Sequence, residues 1–157
     1  RLLNERGIKT VLKVVGGDGP DATFVQKLGF IDKNTSEGQQ QIKRLLETST
    51  YFTLPTRAEA SAIVYCEASA FGLPILSTKT GGVENYVRDG ETGYCLPLTA
   101  TGSQYAEIIA KMHSSPDTYR RLSVGAFQRY TQKLNWGVAV SSLLSLAEEA
   151  IAESVRQ

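Results

Sequence analysis

Much that would announce a function is missing from this sequence. Its 157 residues include one histidine, one methionine, one tryptophan, two cysteines and five prolines. A Ser or Cys triad needs a base, and the single histidine, His113, stands late in a helical stretch, where it complements the negative end of the helix. The sequence has no HExxH, no CxxC and no cluster of Asp, Glu and His, so neither a metal site nor a cofactor is expected. Cys66 and Cys95 are too few for a disulfide framework and read as free thiols in a reducing, cytoplasmic compartment. Charge of one sign is also missing: 17 Lys+Arg against 16 Asp+Glu leave a net charge of +1, which cannot neutralise a run of phosphates. No nucleic-acid partner is therefore expected. No apolar run approaches about 18 residues, so no transmembrane segment is expected.

What is present is ordinary for a soluble globular chain: 41% hydrophobic and 21% charged residues, long enough for one domain with a real core. No basic, apolar leader is expected at its start. The chain opens on Arg1, not Met, and Leu2, Leu3 and Ile8 read as the tail of a helix. The expectation is a piece of a longer polypeptide.

Five short runs read as strands. Thr10–Val15 is β-branched and nearly all apolar, the pattern of a strand buried on both faces, and Gly16-Gly17-Asp18-Gly19-Pro20 ends it. Leu28–Ile31, Tyr51–Pro55, Ile75–Thr78 and Gly93–Pro97 are the others. Between and after them run helical patterns. Ser36 with Gln39 reads as a capping box for a helix to about Thr48. A small-residue helix covers Ala62–Phe71, with Gly72 at its left-handed cap and Pro74 beyond. Three more cover about 103–113, 116–131 and 136–154, the middle one opened by Ser115-Pro116. Strands separated by helices mean an α/β class with a Rossmann-like parallel sheet flanked by helices, with no internal repeat and no linker. Ligands in such sheets bind beyond the carboxyl ends of the strands. Here those ends carry Gly16-Gly17, the stretch Pro55–Ser61, and Thr80-Gly81-Gly82.

Glu59 and Glu67 flank the start of the small-residue helix. As a glycosidase pair they are badly spaced. Eight residues at ~1.5 Å rise would separate their backbones by about 12 Å, against roughly 5–9.5 Å for paired carboxylates. Two separate tasks fit better. The helix start between them leaves unpaired N–H groups near Ser61, Ala62, Ile63 and Val64, which suit a phosphate or diphosphate. The carboxylates would then accept hydrogen bonds from hydroxyls at either end of a phosphate-bridged ligand. Spacing alone leaves the plainer reading open, with Glu59 a solvated loop acid and Glu67 a surface helix residue. A rival site is Gly17-x-Gly19-x-x-Ala22, a partial dinucleotide fingerprint. Pro20 removes an N–H from it, and Asp32 comes too early for a ribose-binding acid. A tight turn after a strand is the plainer account. Trp136 and Tyr130 read as packing residues, not a stacking platform.

The run Leu54-Pro55-Thr56-Arg57-x-Glu59-x-x-x-Ile63-Val64-x-x-Glu67-Ala68-x-Ala70-x-Gly72-x-Pro74 resembles the signature of retaining nucleotide-sugar glycosyltransferases of the GT-B fold, the glycosyltransferase group 1 family, with its E-x7-E motif. The Gly16 loop, Leu28–Ile31, Gly81-Gly82-Val83, Asp89-Gly90-x-Thr92-Gly93 and Asn135-Trp136 are similar in order. The resemblance implies that residues 1–157 are the C-terminal, donor-binding half, with an N-terminal acceptor domain absent. It implies that Glu67 accepts the ribose hydroxyls and that Glu59 is the catalytic-site carboxylate bonded to the transferred sugar. Backbone at Ser61, Ala62 and Ile63 would hold the sugar or diphosphate, with Gly16, Gly17, Gly81 and Gly82 also lining the donor. Backbone at Phe30 and Ile31 would meet the nucleobase. The donor would be a UDP-, GDP- or ADP-sugar, used as substrate with no divalent metal. Peripheral membrane contact by a longer parent stays open. Departures are visible: Ala60-Ser61-Ala62 stands where glycines are usual, Glu84-Asn85 where Pro-Glu is usual, and the family's phosphate-binding Arg and Lys have no counterpart. A chain lacking these parts is expected to be an inactive fragment. A non-catalytic nucleotide-binding module and an NAD-binding Rossmann domain are the alternatives.

Overall fold

The computed structural model describes residues 1–60 and 62–155. In chain order the elements are α1 (Leu2–Glu5), β1 (Leu12–Val14), β2 (Val25–Lys27), α2 (Ser36–Glu47), β3 (Phe52–Leu54), α3 (Ile63–Ala70), β4 (Ile75–Thr78), β5 (Gly93–Leu96), α4 (Gly102–His113), α5 (Pro116–Arg129) and α6 (Trp136–Val155). A 3-10 turn covers Val83–Asn85 and a π-helical turn Tyr130–Leu134. Every strand pairing is parallel: β1 with β2 in one sheet, and β3, β4, β5 in another with β4 central. The class is α/β, parallel sheets flanked by helices. The chain divides into two compact units, 1–50 with 99–119 and 51–98 with 120–157.

In the first unit, β1 is shorter and more open than its apolar run suggests. Val11, Leu12 and Val15 keep 54%, 39% and 43% of their surface, so this strand is not buried on both faces. Among the described residues it has a strand on one side only, β2. The strand expected at 28–31 lies earlier, at Val25–Lys27. Gly29, with φ +66, turns the chain out of the ladder just after Leu28 N–H has bonded Val14 O at 2.8 Å. The start of α2 is also one residue earlier than the Ser36 cap predicts. Thr35 is the cap, and its Oγ1 accepts from Gly38 N–H at 3.1 Å, satisfying one donor that the helix itself leaves unpaired. The last helix of this unit, α4, opens with Thr101 N–H donating to Gln104 Oε1 at 2.9 Å, buries Ala106 and Met112, and packs on α1.

The second unit holds the deeper core. All four residues of β4 are buried, and Tyr65, Ala68, Ile75, Leu76, Val83, Leu122 and Ala126 are shut off from solvent. Small side chains on α3 let it lie close to β4. At its end Gly72, φ +64, closes a Schellman motif: its N–H bonds Ser69 O at 2.9 Å, and Leu73 N–H bonds Ala68 O at 3.1 Å. The expected cap glycine is in place. Between α5 and α6 the chain does not simply stop and restart. It passes through the π turn to Asn135, whose Nδ2 donates to Tyr130 O and Thr131 O, both at 2.9 Å. The Oδ1 of the same residue accepts from Val138 N–H at 3.0 Å. One amide therefore closes the end of one helical stretch and opens the next.

Candidate functional site

Parallel pairing brings the carboxyl ends of β3 and β4 to one edge of the sheet. From β3 emerges the loop that carries Glu59 and leads into α3; from β4 emerges Lys79-Thr80-Gly81-Gly82. Behind this edge lies a buried polar chain. Ser77 Oγ donates to Leu54 O at 2.8 Å, and Tyr65 Oη lies 2.8 Å from the same Oγ. A serine hydroxyl has one hydrogen, already given to Leu54, so Tyr65 is the donor in the second bond. These two bonds tie α3, β4 and the last residue of β3 together. The Tyr65 ring also stacks at a tilt on Tyr86, with centroids 5.8 Å apart, and meets Phe52 edge-on at 6.1 Å. Glu67 therefore stands two residues along a helix anchored to both strands.

The Glu59 loop is held carbonyl by carbonyl. Thr80 Oγ1 donates to Arg57 O at 3.2 Å, Thr56 Oγ1 to Ala58 O at 2.8 Å, and Gly82 N–H to Glu59 O at 3.0 Å. Glu59 and Glu67 are both half-buried. Glu59 lies outside α3, so the two carboxylates do not share one helix, as the separate-task reading requires. Ala62 is the residue before the first turn of α3 and contributes no side-chain cap there. Of the first-turn N–H groups, that of Tyr65 bonds Ala62 O at 3.1 Å. Ser61 lies outside the described residues. Glu59, Ala62, Ile63, Glu67, Gly81 and Gly82 all belong to the second unit, where Gly81 and Gly82 lie against the backbone of residues 59 and 60.

Gly16, Gly17, Phe30 and Ile31 belong to the first unit. There Gly16 N–H bonds Gly29 O at 2.8 Å, which joins the loops after β1 and β2. Phe30 is 84% exposed, whereas Ile31 is buried. The dinucleotide alternative does not survive here. That fingerprint needs a helix directly after its glycines, and the chain from Gly17 runs instead into strand β2. Trp136 is also not the packing residue expected: 75% of its surface is open.

Charges and thiols nearby are perturbed for simple reasons. The Lys79 ammonium sits 2.9 Å from Glu84, which pushes its pKa up through a hydrogen bond and charge. Burial, then the Asp89 carboxylate, pushes the Cys95 thiol up to about 11, and burial raises Cys66 as well. Arg129 reaches the backbone carbonyls of Tyr86 and Asn85 and so fastens α5 under the turn that follows the glycine loop; burial and Arg88 lower its pKa. Among the described residues no three His, Cys, Asp or Glu side chains gather in a metal-binding group. Sequence reasoning missed Tyr65 and Ser77 as parts of this edge, whereas Thr80-Gly81-Gly82 was expected at the carboxyl end of its strand.

Residues 1–129 match the family described as Glycosyl transferases group 1. The chain belongs to that family. A group 1 relative, the D-inositol 3-phosphate glycosyltransferase of Streptomyces coelicolor, is 29% identical over 164 residues, covering 96% of this chain and 35% of its own length. The sucrose-phosphate synthase of Thermosynechococcus elongatus superposes with a TM-score of 0.69 at 20% identity, over 97% of this chain and 33% of that one. Anabaena Alr3699/HepE in complex with UDP-glucose gives 0.65 at 20% identity, over 83% of this chain and 33% of that one. These likenesses place the fold among the GT-B glycosyltransferases. The chain spans about a third of the length of such curated relatives. No helix among the described residues is long and apolar enough to cross a membrane.

Proposed function

We propose that this chain is the C-terminal, donor-binding domain of a retaining glycosyltransferase that moves a sugar from a nucleoside-diphosphate sugar to an acceptor hydroxyl. The observation that carries the reading is the joint edge of β3 and β4 in a group 1 chain: two half-buried carboxylates on either side of an uncapped helix start. In this reading Glu67 accepts the ribose hydroxyls and Glu59 bonds the transferred sugar. The first-turn N–H groups of α3 receive the diphosphate or sugar, since an uncapped helix start favours anions. Gly81 and Gly82 line the donor. Gly16, Gly17 and the backbone at Phe30 and Ile31 are assigned to the donor's remaining parts, the base included. The complex of a structural neighbour with UDP-glucose supports a uridine nucleotide as the first donor to test.

A separate N-terminal domain of the same polypeptide would bind the acceptor, and the protein would work in the cytoplasm. Without that domain the isolated chain should bind donor weakly and transfer nothing, since bringing the two substrates together supplies much of such a rate.

The test is calorimetry with UDP and UDP-glucose, extended to GDP and ADP and their sugars. Glu67→Ala removes charge-assisted hydrogen bonds worth roughly 1.5–3 kcal/mol and should weaken nucleoside-diphosphate affinity about tenfold or more. Glu59→Gln should spare the free diphosphate and weaken only the sugar nucleotide. An affinity for the free diphosphate that ignores Glu67→Ala removes the ribose role. Equal losses for both ligands in Glu59→Gln misplace Glu59.

A further inference from the structure

The glycine pair after β4 does more than leave room for a ligand. A Cβ on Gly81 would stand 2.0 Å from Glu59 O, and one on Gly82 would stand 2.2 Å from Ala60 O. Neither position tolerates any side chain unless the opposing backbone moves, because what lies there is peptide oxygen and not the tip of a flexible side chain. Gly82 N–H also donates to Glu59 O. One residue earlier, Thr80 Oγ1 donates to Arg57 O. Three consecutive residues of one loop therefore grip the 57–60 segment of the other, through two hydrogen bonds and two close backbone approaches. Gly82 has φ −83 and ψ 2, which any residue adopts, so a glycine there answers to space and not to backbone strain.

We infer that Thr80, Gly81 and Gly82 are positioning residues: they set where the Glu59 carboxylate stands by clamping the backbone that carries it. The inference rests on the reading of Glu59 as the sugar-binding carboxylate. It adds that the specificity for sugar nucleotide over bare diphosphate depends on the loop after β4, not on Glu59 alone. Glu67 is anchored independently, through Tyr65 and Ser77 on α3 and β4, so the clamp governs one carboxylate and spares the other.

Gly82→Ala is the steric probe, and Thr80→Val is the mild one, removing a single hydroxyl bond without adding bulk. Hydrogen exchange of the residue 82 amide, whose N–H donates to Glu59 O, reads the clamp directly. Both variants should accelerate exchange there while leaving β4 and α3 protected. Calorimetry with UDP-glucose and UDP reads its consequence. In Thr80→Val the preference for the sugar nucleotide should fall toward that of Glu59→Gln, with UDP affinity within about twofold of the parent, and in Gly82→Ala turnover of the full-length protein that contains this chain should drop on the order of 100-fold, as for a misplaced reacting group. The double variant Glu59→Gln/Thr80→Val should bind UDP-glucose no worse than Glu59→Gln alone, because Thr80 acts through Glu59. Additive losses would overturn the inference, and so would unchanged exchange at residue 82 in Thr80→Val. If exchange accelerates as expected but Glu59→Gln itself leaves sugar-nucleotide binding untouched, the clamp stands and the role given to Glu59 falls.

Discussion

The two sheets begin from similar material and end at different depths. Thr10–Val15, around β1, is as apolar as the β4 run, yet Val11 is 54% and Leu12 39% exposed, while Ile75 and Leu76 are fully buried. Among the described residues β4 has a parallel strand on each side and β1 has one. An apolar, β-branched run announces a strand, but the neighbours it acquires decide whether both its faces leave water. The difference matters for the chemistry. Both carboxylates follow β3 of the deep sheet, on a loop held by close backbone contacts and on a helix held by buried hydrogen bonds. The open sheet offers Phe30 to solvent instead, at a loop joined to its neighbour by a backbone bond from Gly16 to Gly29.

Several substitutions test that contrast. The largest effect belongs to Leu76→Ala: truncating a fully buried leucine should cost about 2–5 kcal/mol of folding stability. The same change at Leu12, already 39% exposed, should cost about 1 kcal/mol or less. Urea denaturation of the two variants measures both, and equal losses would erase the distinction between the sheets. Next comes Tyr65→Phe, which deletes the buried bond to Ser77 and should cost about 1 kcal/mol. It should also loosen Glu67 more than Glu59, which UDP and UDP-glucose titrations separate.

A pH scan sharpens the picture at the rim of the deep sheet. Folding raises the Cys95 thiol from 9.0 to about 11, chiefly by burial. A group whose pKa folding raises adds stability below its unfolded pKa and loses it as pH climbs through the folded one. Thermal midpoints should therefore decline between pH 9 and about 11, and decline less in Cys95→Ser. At pH 8 the thiol should react with iodoacetamide about 100-fold more slowly than an ordinary cysteine. The smallest effect is expected at Ser69, whose buried hydroxyl has no partner. Ser69→Ala removes an unpaid desolvation cost and should leave stability unchanged or raise it by up to about 1 kcal/mol.

Much of this architecture was legible in the residues. The parallel α/β class, the strand at Ile75–Thr78, the Gly72 cap and the Ser115-Pro116 helix start all follow from local chemistry, and the structure builds them. What escaped depends on partners distant in the chain. The strand expected at 28–31 slid to Val25–Lys27 because register against β1 and the turn at Gly29 outweighed a four-residue apolar run. Trp136 looked like core because aromatic residues usually are, but nothing in its own neighbourhood states whether a surface exists to cover it. At the site, the Glu59 and Glu67 pattern was visible as spacing. The grip of Thr80-Gly81-Gly82 on that loop was not, since a glycine pair reads as a turn until the backbone opposite it is known.

Asn135 carries a consequence for how the molecule opens. Its single side chain bonds two carbonyls that end one helical stretch and one amide that begins α6. Neither end can fray while the other keeps the amide in place, so the two melt as one cooperative segment. The π turn that Asn135 closes also packs on α3, the helix that carries Glu67, and Arg129, just before that turn, holds Tyr86 O. Loss of the Asn135 amide should therefore be felt on both sides of the turn, at α6 and at the packing of α3.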